Sequence, residues 1–176
     1  MPTRAEHIED IRLRLTGRID AVGERVWRGR VETIPPRSMP AICLYAPEED
    51  SGEALVRGGH AQYRPTHTLA IEVRVPDANG FDVAAGDIVE EIKTILFRDP
   101  AWTVRFQPHP RWRVRQFVDR RGEQAFCGEV LTLVVADKQP VAYPPLAPQL
   151  TRITASADVD GDGVADLTSQ TNIEEE

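Results

Sequence analysis

The feature that most narrows the fold of this chain is a strict alternation over residues 68–75, where Leu69, Ile71, Val73 and Val75 interleave with Thr68, Ala70, Glu72 and Arg74. Successive side chains of a strand point to opposite faces, so this segment must lie with one face dry and the other wet. Such a strand is not stable alone. It needs partner strands along its edges and an apolar element across its dry face.

Two segments can supply the cover. At the N-terminus, Thr3 and Glu6 have capping-box spacing, and Ile8, Ile11, Leu15, Ile19 and Val22 follow at three- and four-residue steps. This predicts an amphipathic helix, with Gly23 suited to cap its C-terminal end. A second helix is expected over residues 82–97, with Ile88, Ile92, Ile95 and Leu96 on one face and Asp99-Pro100 stopping it. Partner strands are expected at residues 111–118 and 125–136, paired antiparallel through a turn containing Gly122. A short strand within 26–34, ended by Pro35-Pro36, and an apolar run at 39–45 complete the set. Residues 46–66 hold Gly, Pro and charges without a sustained period and read as a long mobile loop.

The expected architecture is therefore α+β: a single mixed or antiparallel sheet packed by two main helices, spanning residues 1–137. After Lys138, Pro140, Pro144, Pro145 and Pro148 block both helix and sheet ladder, so residues 138–176 read as a Pro-rich extended C-terminal arm with an acidic end. With 41% hydrophobic and 28% charged residues, the chain can bury one core without staples. Cys43 and Cys127 lie in apolar runs without CxxC spacing and are expected as buried thiols. No signal-like or membrane-spanning stretch is present, so a soluble, cytosolic protein is expected.

Charge is distributed unevenly. Residues 1–137 carry 19 basic and 21 acidic side chains, net −2, while residues 138–176 carry 2 and 7, net −5. A nearly neutral body with an acidic tail speaks against binding of nucleic acid or anionic membrane by the whole domain.

No phosphate loop, dinucleotide fingerprint, HExxH or nucleophile elbow occurs, and an enzyme is not expected. His7, His60, His67 and His109 are scattered along the chain and read as surface residues. The sharpest local signal is Asp158, Asp160, Asp162, Val164 and Asp166, which match calcium-loop positions, with Gly163 at the sharp turn. Carboxylates plus the Val164 carbonyl offer the oxygens a hard cation requires. Ser169 stands where the closing glutamate of an EF-hand belongs, and no flanking helix is evident, so calcium binding and a solvated acidic turn both stay open.

Arginine supplies 19 of the 21 basic residues. Arg111, Arg113 and Arg115 fall on one face of a strand, opposite Trp112 and Val114, and Arg105, Arg120 and Arg121 are close in sequence. Such a stripe can meet phosphates or an acidic partner subunit through guanidinium forks. Alternatively it is a solvated face paired with Glu72, Glu123 and Glu129.

An N-terminal amphipathic helix, a proline-led strand (SMPAICLYAPEED), a long loop, a strand (THTLAIEVRVP), a helix (DVAAGDIVEEIKTILFRDPAW) and a closing hairpin resemble, in that order, the tail terminator family of long-tailed bacteriophages. The resemblance covers roughly residues 3–137 and is a pattern of elements rather than a fixed motif. It implies a structural virion protein: a homo-hexameric ring at the head-proximal end of the tail, assembled in the host cytoplasm, that caps the tail tube protein, ends its polymerisation and offers a surface for head joining. Neck or connector proteins would be further partners, and DNA would only pass through. The arginines at 111, 113, 115, 120 and 121 would then face a subunit interface or the lumen. A neck or head-completion adaptor is the alternative assembly protein, and a calcium-dependent binding module the alternative from another class. Apart from calcium, no cofactor is expected.

Overall fold

A computed structural model of the 176-residue chain describes residues 2–29, 34–57, 60–76, 80–119, 126–139, 141–142, 152–157 and 167–172. The first helix, α1 (Arg4–Leu15), starts on the expected capping box: the Thr3 hydroxyl accepts from the Glu6 amide, and the Thr3 amide donates to the Glu6 carboxylate. It stops at Leu15 rather than running to Gly23. Thr16 and Gly17 are poor helix residues, and Gly17 turns left-handed at φ 69°, with its amide donating to the Gly23 carbonyl. Ile19 and Val22 are nevertheless fully buried, held by a compact turn instead of a third helical turn.

Six strands form the main sheet. Strands β1 (Val26–Arg28), β2 (Ala41–Arg57), β3 (His60–Pro76), β4 (Arg111–Asp119) and β5 (Phe126–Ala136) lie in the order β1-β2-β3-β5-β4, and β6 (Val141–Ala142) pairs with β3. Only β1–β2 is parallel; the remaining pairs are antiparallel, so the sheet is mixed. The alternation over residues 68–75 places Leu69, Ile71, Val73 and Val75 on the dry face.

Both long helices cover that face. Ile8, Ile11 and Leu15 of α1, with Ala85, Ile88, Val89, Ile92 and Leu96 of α2 (Phe81–Phe97), share one core with Ile42, Leu44, Leu131, Leu133 and Val135. The Asp99 carboxylate caps the short α3 (Pro100–Thr103) by accepting from the Ala101 amide, and Trp102 stacks edge-on between Phe97 and Phe106. On the opposite face a smaller cluster of Ile34, Met39, Ala41 and Cys43 is packed by Trp27, Tyr45 and Phe126. Cys43 and Cys127 are both buried, and neither is in a disulfide.

Two expectations about loops are corrected. Of residues 46–66, 46–57 belong to β2 and 60–66 to β3. The Pro-rich region is also not wholly without ladder, since β6 pairs with β3 and a separate two-stranded sheet joins β7 (Arg152–Ala157) to β8 (Leu167–Asn172). Among the described residues, no helix is long and apolar enough to cross a membrane.

Candidate functional site

The β2–β3 ribbon outruns β5. Strand β3 pairs with β5 only as far as Thr66↔Ala136, whereas β2 and β3 stay paired to Arg57↔His60. Six further residue steps at ~3.3 Å carry the ribbon roughly 20 Å past the body. Its two register breaks use the residues that made this stretch look like a loop. Ala46-Pro47 oppose Leu69, and Ser51-Gly52 oppose Pro65, so both prolines sit where no ladder amide is needed. Gly52 has φ 66°, and a Cβ there would lie 1.9 Å from the Arg64 carbonyl oxygen. Its amide donates to the Asp50 carboxylate at 2.7 Å, an Asx-type turn that fixes the bulge.

The arginine stripe lies where the alternation places it. Arg111, Arg113 and Arg115 pair across from Val134, Thr132 and Val130, on the face away from the helices, while Trp112 and Val114 oppose Leu133 and Leu131 on the helix side. Val114 packs on the core, and Lys93 of α2 sits 4.4 Å over the Trp112 ring. All three arginines are exposed, and among the described residues none makes an ion pair. Glu72 instead bonds Arg74 at 2.7 Å, Glu129 faces the helices and accepts from Gln116, and Arg105 reaches back to Asp10 at 2.8 Å. Arg120, Arg121 and Glu123 lie outside the described residues, as do Asp158, Asp160, Asp162, Val164 and Asp166. The strands β7 and β8 flank that last segment in sequence, where an EF-hand would have helices.

Strand β4 is an edge of the sheet, so its outward backbone groups and its arginines are both open to a partner. Beside them Thr68, Ala70, Val130, Thr132 and Val134 form a half-exposed floor that no described element covers. Nearer β2 the same face is closed. Arg74 donates to the Tyr45 hydroxyl and stacks 5.0 Å over Phe126. Burial, helped by Cys43 and Glu72 nearby, pushes the Tyr45 hydroxyl up to about 12, which keeps it neutral.

The histidine expectation fails at two of the four positions. His109 is exposed, but His7 and His67 are buried to 2% and 1% exposure. The helix turn that carries His7 lies over the end of the sheet, where β3 brings His67 and the residue after β5 brings Asp137. His7 Nε2 is 3.0 Å from Asp137 Oδ2, and the two imidazole rings are 5.0 Å apart. Burial, together with His7, pushes the His67 pKa below the ordinary histidine value, so its ring is neutral. Glu49, the cross-strand partner of His67, holds Arg4 at 3.0 Å and lies 3.7 Å from His67 Nδ1. Residues 130 positions apart in sequence meet here, and no local spacing signals their meeting.

No family model matches this sequence, and neither does any curated protein.

Proposed function

We propose that this chain is an assembly subunit of a long-tailed phage virion, a tail terminator that closes into a ring, caps the tail tube and presents the head-joining surface. The observation that carries the reading is the β2–β3 arm, which extends roughly 20 Å beyond the last β3–β5 pair. A ribbon of this length is suited to lie on a neighbour. The body supplies dissimilar surfaces, with the arm at one end of β3, the bare floor and arginine row toward β4, and the closed cluster near β2. Head-to-tail contacts between unlike surfaces close into rings when the rotation allows.

The helices and the β4–β5 pair come in the order of the family pattern noted from the sequence, while the long loop of that pattern is here largely the paired outer ends of β2 and β3. In a ring, the exposed Arg111, Arg113 and Arg115 would line either a subunit border or the passage for DNA, where fixed positive charge balances carboxylates or phosphates. Virion localisation at the head-proximal end of the tail follows from the same reading.

Sedimentation and negative-stain electron microscopy of the full chain, alone and with tail tubes, test it. A closed ring that caps one tube end is expected. A particle that stays monomeric at all concentrations and never binds tubes refutes it, and binding to portal complexes instead of tubes replaces it with the neck adaptor.

A further inference from the structure

We propose that His7, His67 and Asp137 form a binding site for one divalent transition-metal ion of the zinc class, with Glu49 orienting the His67 ring. The three ligand atoms already lie within 4.8 Å of one another, and all three residues are buried. Zinc holds nitrogen and oxygen ligands at about 2.0–2.2 Å, which sets ligand atoms roughly 3.4 Å apart in a tetrahedron. The His7–Asp137 pair at 3.0 Å is close to that spacing, and the wider separations, within 4.8 Å, need closure of up to about 1.4 Å.

The second observation is independent of this proximity. Both ring nitrogens of His67 are buried and make no hydrogen bond among the described residues. A neutral imidazole has one lone pair and one N–H, and leaving both unmatched in the interior is costly. A metal ion resolves both. One nitrogen of His67 gives its lone pair to the ion, and Nδ1–H turns to the Glu49 carboxylate, now 3.7 Å away, in the arrangement by which carboxylates orient ligating histidines. Asp137 brings a negative charge directly to the dication, and Glu49, which also holds Arg4, adds its own from behind His67. Imidazole and carboxylate together suit zinc and its neighbours better than calcium or magnesium, which take oxygen sets.

The location gives the ion a purpose. His67 and Glu49 are cross-strand partners beside the point where the arm leaves the sheet, His7 belongs to α1, and Asp137 is the last residue of the body before the C-terminal region. An ion here ties helix, arm root and chain exit into one rigid corner, with no open catalytic role required.

The test uses the full chain stripped with a chelator and titrated with zinc chloride by calorimetry, with cobalt(II) chloride as the spectroscopic probe. One equivalent of zinc is expected, with a higher Tm and with cobalt bands of a four- or five-coordinate ion. His67→Ala and Asp137→Asn should abolish that equivalent, and Glu49→Gln should weaken it by about 10- to 100-fold. Asp160→Asn and His109→Ala should leave it intact, which separates this site from the acidic segment and from surface histidines. No stoichiometric zinc binding to the wild-type chain overturns the proposal, and so does an equivalent that persists in folded His67→Ala. Should the cluster variants fail to fold, the wild-type cobalt spectrum decides: a six-coordinate, water-like spectrum overturns the site.

Discussion

Gly52→Ala separates the arm from the body. The new Cβ would stand 1.9 Å from the Arg64 carbonyl oxygen and 2.9 Å from its carbon, against an ordinary contact of 3.4 Å or more, so the two strands must part by about 1.5 Å at the bulge. The backbone angle adds its own cost, because φ 66° is left-handed and an alanine there loses roughly 1 kcal/mol relative to glycine. Overpacking against backbone costs about 1–3 kcal/mol and a disturbed ladder hydrogen bond about 1 kcal/mol more, so the arm loses roughly 3 kcal/mol or above. At about 1.4 kcal/mol per tenfold change, its opening becomes more than ~100-fold more frequent. A ribbon flanked past the last β3–β5 pair by the two residues of β6 has little reserve against such a loss.

The damage should stay local, since the arm lies past the last β3–β5 pair. Hydrogen exchange of the amides of residues 53–57 and 60–64 is the assay, read beside Tm and sedimentation. Fast arm exchange, a Tm close to wild type and loss of ring assembly are expected. Gly128→Ala is the contrast, because its Cβ would lie 1.8 Å from the Val73 carbonyl oxygen inside the central sheet and should lower the Tm of the whole domain. Protected arm amides and wild-type assembly in Gly52→Ala would refute the reasoning.

Three further outcomes are expected. Asp99→Ala removes the α3 cap and one of the two partners of Arg14, and should lower the midpoint of chemical denaturation. Burial raises the Asp99 carboxyl, but the Ala101 amide and the Arg14 guanidinium outweigh it and hold the group below the ordinary aspartate value of 3.8; its contribution is therefore present above pH 3.8 and is lost as pH falls through the lower folded value, an acid dependence that Asp99→Ala should lack. Replacing Arg111, Arg113 and Arg115 with glutamate should change stability by no more than about 0.5 kcal/mol per site, since all three are exposed, yet should abolish ring closure or tube capping in the microscope. Calcium titration decides between the two readings of the acidic segment: a calcium loop gives weak heat that disappears in Asp160→Asn, and a solvated acidic turn gives none in the wild type.

The core was legible because its signals are periodic and local. Leu69 to Val75 announced a one-sided strand, Ile88, Ile92 and Leu96 a one-sided helix, and Thr3 with Glu6 a helix start, and each lies as read. The arm was hidden because the same residue types serve loops and bulges. Gly52, Pro47 and Pro65 punctuate a paired ribbon, and Gly58-Gly59 between the paired Arg57 and His60 is a two-residue hairpin signal that the surrounding charges masked. Helix α1 was overextended because Ile19 and Val22 continue the apolar rhythm after the backbone has turned at Gly17. The arginine row could be placed from alternation alone. His7, His67 and Asp137 could not, since their meeting depends on how α1 lies over the sheet and on where β5 ends.

Strand β6 gives the C-terminal region a mechanical part. Val141 and Ala142 pair with Tyr63 and Gln62, so the chain, having just left the body at Asp137, carries on in the direction of β5 as a splint along the projecting ribbon. Arm and tail are thereby yoked, and a truncation before Val141 would leave the ribbon as a bare hairpin of two strands. Anything that pulls on the last thirty-odd residues is then felt first in the arm, before the core registers any load.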